Sequence, residues 1–222
     1  MKVCGIDVGI SHLAIAQIES TDGSSFLIHE LRLVNVCDYT HNVVPKSECK
    51  LHHTSELADR MNHFQQEHGH LLDGCDLVAV ERQPIQGLQA VQLFLYDRWR
   101  EKAVLVSPNA LHVATFGAKS GLDYEQRKER MEELSEQFCE ECGVSWSERT
   151  KAMVRKHDVA DALMIAKYAL VERLPSKFST FERREEGVRI SEHFRGWPSG
   201  DKGEALRRWV EMGWGESECK KN

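Results

Sequence analysis

Lys2-Val3-Cys4-Gly5-Ile6-Asp7-Val8 opens the chain, and its reading decides the fold. Apolar and small residues run without a break up to a single carboxylate, which describes a buried strand that ends at a polar edge. Gly9 interrupts it. A second apolar stretch follows from Leu13 to Ile18. Thr21-Asp22-Gly23-Ser24-Ser25 is turn chemistry, and it leads into a third strand over Phe26 to Val36. Three strands joined by short turns predict an antiparallel meander.

Outward from the meander the pattern changes to alternating helix and strand. Cys37 to His53 has no periodicity and is expected to be a loop. Thr54 to Leu72 reads as a helix with Leu57, Met61 and Phe64 on one face, and Thr54 is expected to cap it. Leu77-Val78-Ala79-Val80-Glu81 is again a short apolar strand ending at a carboxylate. Leu88 to Trp99 reads as a helix and Ala103 to Val106 as another buried strand. Tyr124, Met131, Leu134 and Phe138 stripe a further helix, and His157 to Val171 forms the last strong one. This order predicts an α/β fold: a mixed five-stranded sheet, its first three strands antiparallel, flanked by helices. Residues 1–173 are expected to form one domain. Residues 174–222, with Trp197, Trp209, Trp214 and one short helix over about Gly203 to Met212, read as a partly helical appendage.

The chain has 222 residues and a formal net charge of −6, which weighs against a generic nucleic-acid binder but leaves room for cations gathered on one face. No stretch is apolar for long enough to span a bilayer, so no membrane partner is expected. The N-terminus runs straight into a strand, so no signal or transit peptide is expected, and a cytoplasmic or viral replication compartment fits. Seven scattered cysteines, an odd number, suit free thiols in a reducing compartment.

Asp7 and Glu81 each stand where a buried strand reaches the sheet edge. Asp158 and Asp161 lie three apart in an apolar helix, so they share a face. A buried carboxylate is costly unless it is paired or bound to a cation. Four hard oxygen donors suit Mg²⁺ or Mn²⁺ rather than zinc, and two such ions in one site are the arrangement for phosphodiester hydrolysis. Taken singly, each acid has a structural explanation, as turn residue, ion-pair partner or helix cap. The ordered set does not.

Gly5-Ile6-Asp7-Val8-Gly9-Ile10, Val80-Glu81-Arg82-Gln83-Pro84 and Asp158-Val159-Ala160-Asp161-Ala162-Leu163 resemble, in that order, the motifs of RuvC-like Holliday junction resolvases. The Glu-Arg-Gln-Pro form is most similar to the poxvirus and large-DNA-virus branch, with fungal mitochondrial resolvases as relatives. The resemblance covers roughly residues 2–173. It implies an RNase H-like fold, an Mg²⁺-dependent endonuclease with Asp7, Glu81, Asp158 and Asp161 as metal ligands, and a homodimer that binds four-way DNA junctions. It further implies a basic residue between the glutamate and the aspartate pair that assists cleavage. Lys119, between Gly117 and Gly121, is the first choice for that role; His112 and Lys128 are the others. The helix after Glu81 carries Leu88, Val91, Leu95 and Trp99, with Phe94 on a flank; this stripe reads as ordinary core packing, while the resemblance places the helix at a dimer interface, so that part of its apolar surface meets a partner chain.

The cations expected near phosphate are Arg82, Lys119, Arg127, Lys128, Arg155 and Lys156. Alternatives are an RNase H-like nuclease acting on RNA–DNA hybrids or flaps, and a non-catalytic branched-DNA-binding protein. Asp7-Val8-Gly9 with Ser11 also resembles the first phosphate loop of actin-like and sugar-kinase ATPases. Those need a second Gly-rich phosphate loop, and none follows. Cys37, His41, Cys49, His52 and His53 lie close in sequence, and Cys139 and Cys142 form a Cys-x-x-Cys. Their spacing fits no zinc pattern, so unliganded histidines and thiols are expected.

Overall fold

A computed structural model describes residues 1–9, 11–20, 25–40, 49–85, 87–118 and 120–173. The expected sheet is there. Strands β1 (Lys2–Val8), β2 (His12–Ser20), β3 (Phe26–Asn35), β4 (Leu77–Glu81) and β5 (Ala103–Val106) lie in the order β3-β2-β1-β4-β5. β1 pairs antiparallel with β2 and β2 with β3, while β1–β4 and β4–β5 are parallel. The helices are α1 (Leu57–Asp73), α2 (Gln89–Arg98), α3 (Pro108–Phe116), α4 (Tyr124–Glu141), α5 (Trp146–Thr150) and α6 (Lys156–Tyr168). No described helix is long and apolar enough to cross a membrane.

The strict two-residue period of the strands splits the core into two layers. Cys4, Ile6, Val8, Val78 and Val80 pack with Met61, Phe64 and Leu72 of α1 and Val91 and Leu95 of α2. Val3, Ala79 and Val104 pack on the other face with Phe138 of α4 and Leu163, Ile165 and Ala166 of α6. By the same parity Asp7 follows Val3 and Gly5, and Glu81 follows Ala79, so both carboxylates belong to the α6 face. The β1–β4 register, Gly5 beside Ala79 and Ile6 beside Val80, brings their strand ends side by side.

Helix α6 is apolar nearly all round, with Val159, Ala160, Ala162, Leu163, Met164, Ile165 and Ala166 buried. It crosses β1 at Gly5, where an added Cβ would fall on the backbone oxygen of Ala162 and 2.6 Å from the backbone nitrogen of Ala166. Glycine here sets the helix–sheet distance. Asp158, Ala162 and Ala166 are spaced by four, so the stripe that rests on Gly5 continues directly into Asp158.

Several sequence expectations need correction. The first helix begins at Leu57 and is not capped by Thr54. The Thr54 hydroxyl donates to the Asp59 carboxylate and accepts the Glu56 N–H, making a local turn ahead of the helix. The third strand stops at Asn35, and Val36–Thr40 turns as a 3₁₀ helix. The last long helix is regular only to Tyr168 and continues as a π-helical turn over Ala169–Arg173. Helices α3 and α5 were not expected. Val91, Leu95 and Trp99 are buried against the chain's own sheet, and Trp99 Nε1 donates to Asp73 at 2.7 Å. This part of the stripe is core, in line with ordinary packing; among the described residues nearby, Ile85 and Leu93 are exposed. The C-terminal appendage, with its helix and three tryptophans, lies outside the described residues.

Candidate active site

Asp7, Glu81, Asp158 and Asp161 line one cavity of about 320 Å³ at the end of β1 and β4, beneath the start of α6. Each arrives by a different local rule. Strand parity turns Asp7 and Glu81 toward α6. Gly9 permits the tight turn after Asp7: its N–H donates to the His12 carbonyl at 3.0 Å, and a Cβ would lie 2.6 Å from that oxygen. Helical spacing brings Asp158 and Asp161 to the same wall, Asp158 in the first turn where the helix dipole favours an anion.

The carboxylates are held in distinct ways. The Glu81 Oε2 atom accepts from Gln83 Nε2 at 2.6 Å, and the Gln83 backbone N–H donates to Gln92 Oε1 at 2.6 Å. Asp158, almost fully buried, is gripped by Arg155 (Nε–Oδ2 2.6 Å, Nη2–Oδ1 3.1 Å), with His157 Nε2 3.0 Å from Oδ1. Arg155 is therefore committed to a carboxylate in this arrangement, whereas the sequence suggests it for phosphate.

Crowding leaves a mark on the acids. Burial first, then the charges of Glu81 and Asp161, push Asp7 well above the usual carboxylate range, and a hydrogen bond joins Asp7 to Glu81. Glu81 is raised by burial and held back by hydrogen bonds from Asp7, Gln83 and the Val8 backbone. Asp161 is pushed up to about 7 by burial, then by Glu81 and Asp158, with Lys128 pulling the other way. Such a set keeps protons that the unfolded chain has already released. The sign follows: without a divalent ion, this contribution to stability is complete below about pH 4 and is lost as pH rises through about 7. A bound divalent cation favours the ionised acids and reverses the trend. Melting in EDTA should fall from about pH 5 to about pH 8, and Mg²⁺ or Mn²⁺ should raise it most at the higher pH. A melting temperature that climbs with pH in EDTA would contradict this reading.

The donor chemistry therefore fits hard divalent cations: four buried-edge carboxylates that repel one another, with Lys128 and Arg155 as the neighbouring positive charges. Of the expected phosphate contacts, Arg127, Lys128 and Arg155 line the cavity, while Arg82 and Lys156 do not. Arg82 is exposed beyond β4. Lys119 lies outside the described residues. His112 lines the cavity with Nε2 3.1 Å from the Ser120 hydroxyl.

Two lining residues were missed. Tyr124 was read as part of the α4 core stripe, yet it stands exposed at the helix start, with Lys128 Nζ 4.3 Å and Arg127 Cζ 6.0 Å from its ring centre. Its signal was the capping box of Asp123 and Gln126, which puts Tyr124 in the first turn, beyond the reach of the core. His157, between the basic Arg155-Lys156 pair and Asp158, carries no sequence signal of its own for the site.

No known protein-family model and no curated protein matches the sequence. Solved structures do. The fowlpox virus resolvase in complex with Holliday junction DNA is similar over 78% of this chain and 99% of its own, at TM-score 0.54 and 13% identity. The yeast mitochondrial Holliday junction resolvase Ydc2 is similar over 81% of this chain and 85% of its own, at TM-score 0.52 and 16% identity. Thermus thermophilus RuvC in complex with its Holliday junction substrate is similar over 81% and 97%, at TM-score 0.50 and 18% identity. At these identities the likeness is one of fold alone: the chain shares the RNase H-like fold of these structures.

Proposed function

We propose that this chain is a divalent-metal-dependent endonuclease of the RuvC type that resolves four-way DNA junctions. The observation that carries the reading is the meeting of Asp7, Glu81, Asp158 and Asp161 in one cavity edged by Arg127, Lys128 and Arg155. The shared fold and the ordered motifs around the acids support the same conclusion.

In this reading the four carboxylates hold two Mg²⁺ or Mn²⁺ ions. When bound, such ions would supply Lewis-acid activation of water and stabilisation of the leaving oxygen. The chain's own groups set the geometry. Gln83 fixes one oxygen of Glu81 and is itself tied to Gln92, so Glu81 has little rotational freedom. Arg155 holds both oxygens of Asp158 before substrate arrives, and it is close enough to exchange that partner for a phosphate. Arg127 and Lys128 bind the sugar–phosphate backbone electrostatically, beside a Tyr124 ring that offers a face for an unpaired base. Lys119 assists the cleavage step, with His112 as the next residue to substitute. Cutting two opposed strands needs two such sites, which a homodimer provides; the exposed Ile85 and Leu93 supply apolar surface for it.

The test compares a four-way junction, a flap, a linear duplex and an RNA–DNA hybrid in Mg²⁺ and in Mn²⁺. The junction should be cut by paired, symmetric nicks, and EDTA should stop the reaction. Cutting of the hybrid or flap alone would replace junction resolution by the alternative nuclease reading. Tight junction binding without cleavage in either ion would favour a binding protein. Lys119→Ala cutting junctions at the parent rate would remove Lys119 from the mechanism.

A further inference from the structure

On the opposite face of the sheet from the carboxylates, three ligand groups converge that the nuclease reading leaves unused. The Cys49 Sγ atom, one ring nitrogen of His53 and one of His63 lie within 4.8 Å of one another. Cys49 and His53 come from the connection that follows β3, and His63 comes from the second turn of α1.

The hydrogen bonds around the two rings set which nitrogens face the thiol. His63 Nε2 is 3.1 Å from the His52 carbonyl oxygen, and His53 Nδ1 is 3.4 Å from the Tyr39 carbonyl oxygen. A carbonyl only accepts, so each of these nitrogens carries the hydrogen, and in a neutral imidazole the other nitrogen is a bare lone pair. The bare Nδ1 of His63 lies 3.8 Å from Cys49 Sγ. The bare Nε2 of His53 is buried and has no hydrogen-bond partner. An orphaned lone pair in a buried setting costs about 1–3 kcal/mol unless something fills its need. The rings are also fixed in place: His53 and His63 have centroids 4.4 Å apart, and Tyr39 stacks on His63 at 5.5 Å and 15°.

A thiol with the bare His63 Nδ1 beside it, and a His53 ring within the same 4.8 Å whose bare Nε2 has no partner, form a soft-to-borderline donor set, each imidazole held by a carbonyl on its other nitrogen. We propose that Cys49, His53 and His63 bind a Zn²⁺ ion. The Cys49 S–H proton leaves to solvent as the zinc–sulfur bond forms, and both imidazoles bind as neutral ligands. A water molecule would complete the four-coordinate set. The neighbouring Cys37 stands outside the set, because its sulfur accepts from Arg60 Nη1 at 3.4 Å. Zinc at this point fastens the connection after β3 to α1. The Cys-x₃-His part lies within the sequence cluster already noted. His63, ten residues farther on, is what closes it, and it is visible only once α1 turns that residue inward.

The test uses the full chain, expressed with zinc in the medium and dialysed exhaustively against metal-free buffer. The protein should retain about one zinc per chain. Replacing zinc by Co²⁺ should produce a thiolate-to-cobalt charge-transfer band and the strong visible bands of a four-coordinate ion. Cys49→Ser should lose the charge-transfer band, and His53→Gln should cut retained zinc to below about a tenth of the parent value. Asp7→Asn should leave both signals unchanged, which separates this site from the carboxylates. Dialysed parent protein with only traces of zinc and no cobalt–thiolate band overturns the proposal, whether or not any variant folds. So does a band that survives Cys49→Ser but disappears in Cys142→Ser.

Discussion

Asp7→Asn is expected to reduce junction cleavage at least about a thousand-fold while making the metal-free protein more stable at pH 8. The two effects have one cause. Asp7 is raised well above the usual carboxylate range because burial and the charges of Glu81 and Asp161 oppose its ionisation. Removing its charge relieves that opposition, so the metal-free melting temperature rises above about pH 7, where the parent pays the full cost of ionising the group. The amide keeps the shape and can still donate to Glu81, so the strand ends should stay in place. What it cannot do is supply a charged oxygen to a divalent cation. Junction affinity measured in Ca²⁺ or EDTA should change by less than about tenfold, because the cations proposed above to meet phosphate, Arg127 and Lys128, are left in place at the cavity wall. The measurement pairs single-turnover cleavage with thermal melts in EDTA and in Mg²⁺. A variant that is less stable than the parent in EDTA at pH 8 would mean that Asp7 is a structural hydrogen-bonding residue and not one member of a repelling cluster.

Why the acids were legible, and much around them was not, comes down to how local each cause is. Asp7 and Glu81 end apolar runs, and strand parity then decides their face, so position in the sequence carries nearly all the information. Asp158 and Asp161 needed only helical spacing. The mixed sheet with an antiparallel start followed from a meander and then helix–strand alternation. The places where reading failed are those set by a partner distant in sequence, or by a choice among local hydrogen bonds. Thr54 looks like a cap, but its hydroxyl is spent on Asp59 and Glu56, and the helix starts later. The start of α3 carried a Ser107-Pro108 signal, proline at the first helical position, but the helix is only nine residues long and exposes much of its surface. Arg155 reads as a free phosphate ligand until the fold wraps its guanidinium onto Asp158. The stripe on α2 reads as core from its spacing, and the strands beneath it show which of its residues are buried there. His63 gives no sign in a helix already crowded with histidines. Its role depends on where the preceding connection returns.

Gly5 tests the link from packing to chemistry most directly. Gly5→Val should lower stability by about 2–3 kcal/mol and junction cleavage by about a hundredfold or more, with junction binding far less affected. The atoms that a side chain at this position would meet are backbone, the oxygen of Ala162 and the nitrogen of Ala166, together with the Ala166 Cβ at 2.9 Å. A flexible side chain could move aside, but a helix backbone moves only as a whole. Because Asp158, Ala162 and Ala166 form one stripe, lifting α6 off β1 carries Asp158 and Asp161 away from Asp7 and Glu81. A displacement of roughly 1 Å is enough to cost about two orders of magnitude in a reaction that depends on fixed ligand positions. Gly69→Ala is the matched control. Its Cβ would meet only Gln65 Cγ at 3.5 Å and Trp99 Cζ2 at 3.8 Å, ordinary contacts inside α1, so it should stabilise by about 0.5–1 kcal/mol and leave cleavage unchanged. If Gly5→Val lost stability but cleaved at the parent rate, the carboxylates would be held by something other than the β1–α6 contact. The Arg155 and His157 grip on Asp158 would then be the next candidate, since it anchors that acid from within the first turn of α6 and would move with the helix only if the preceding connection moved too.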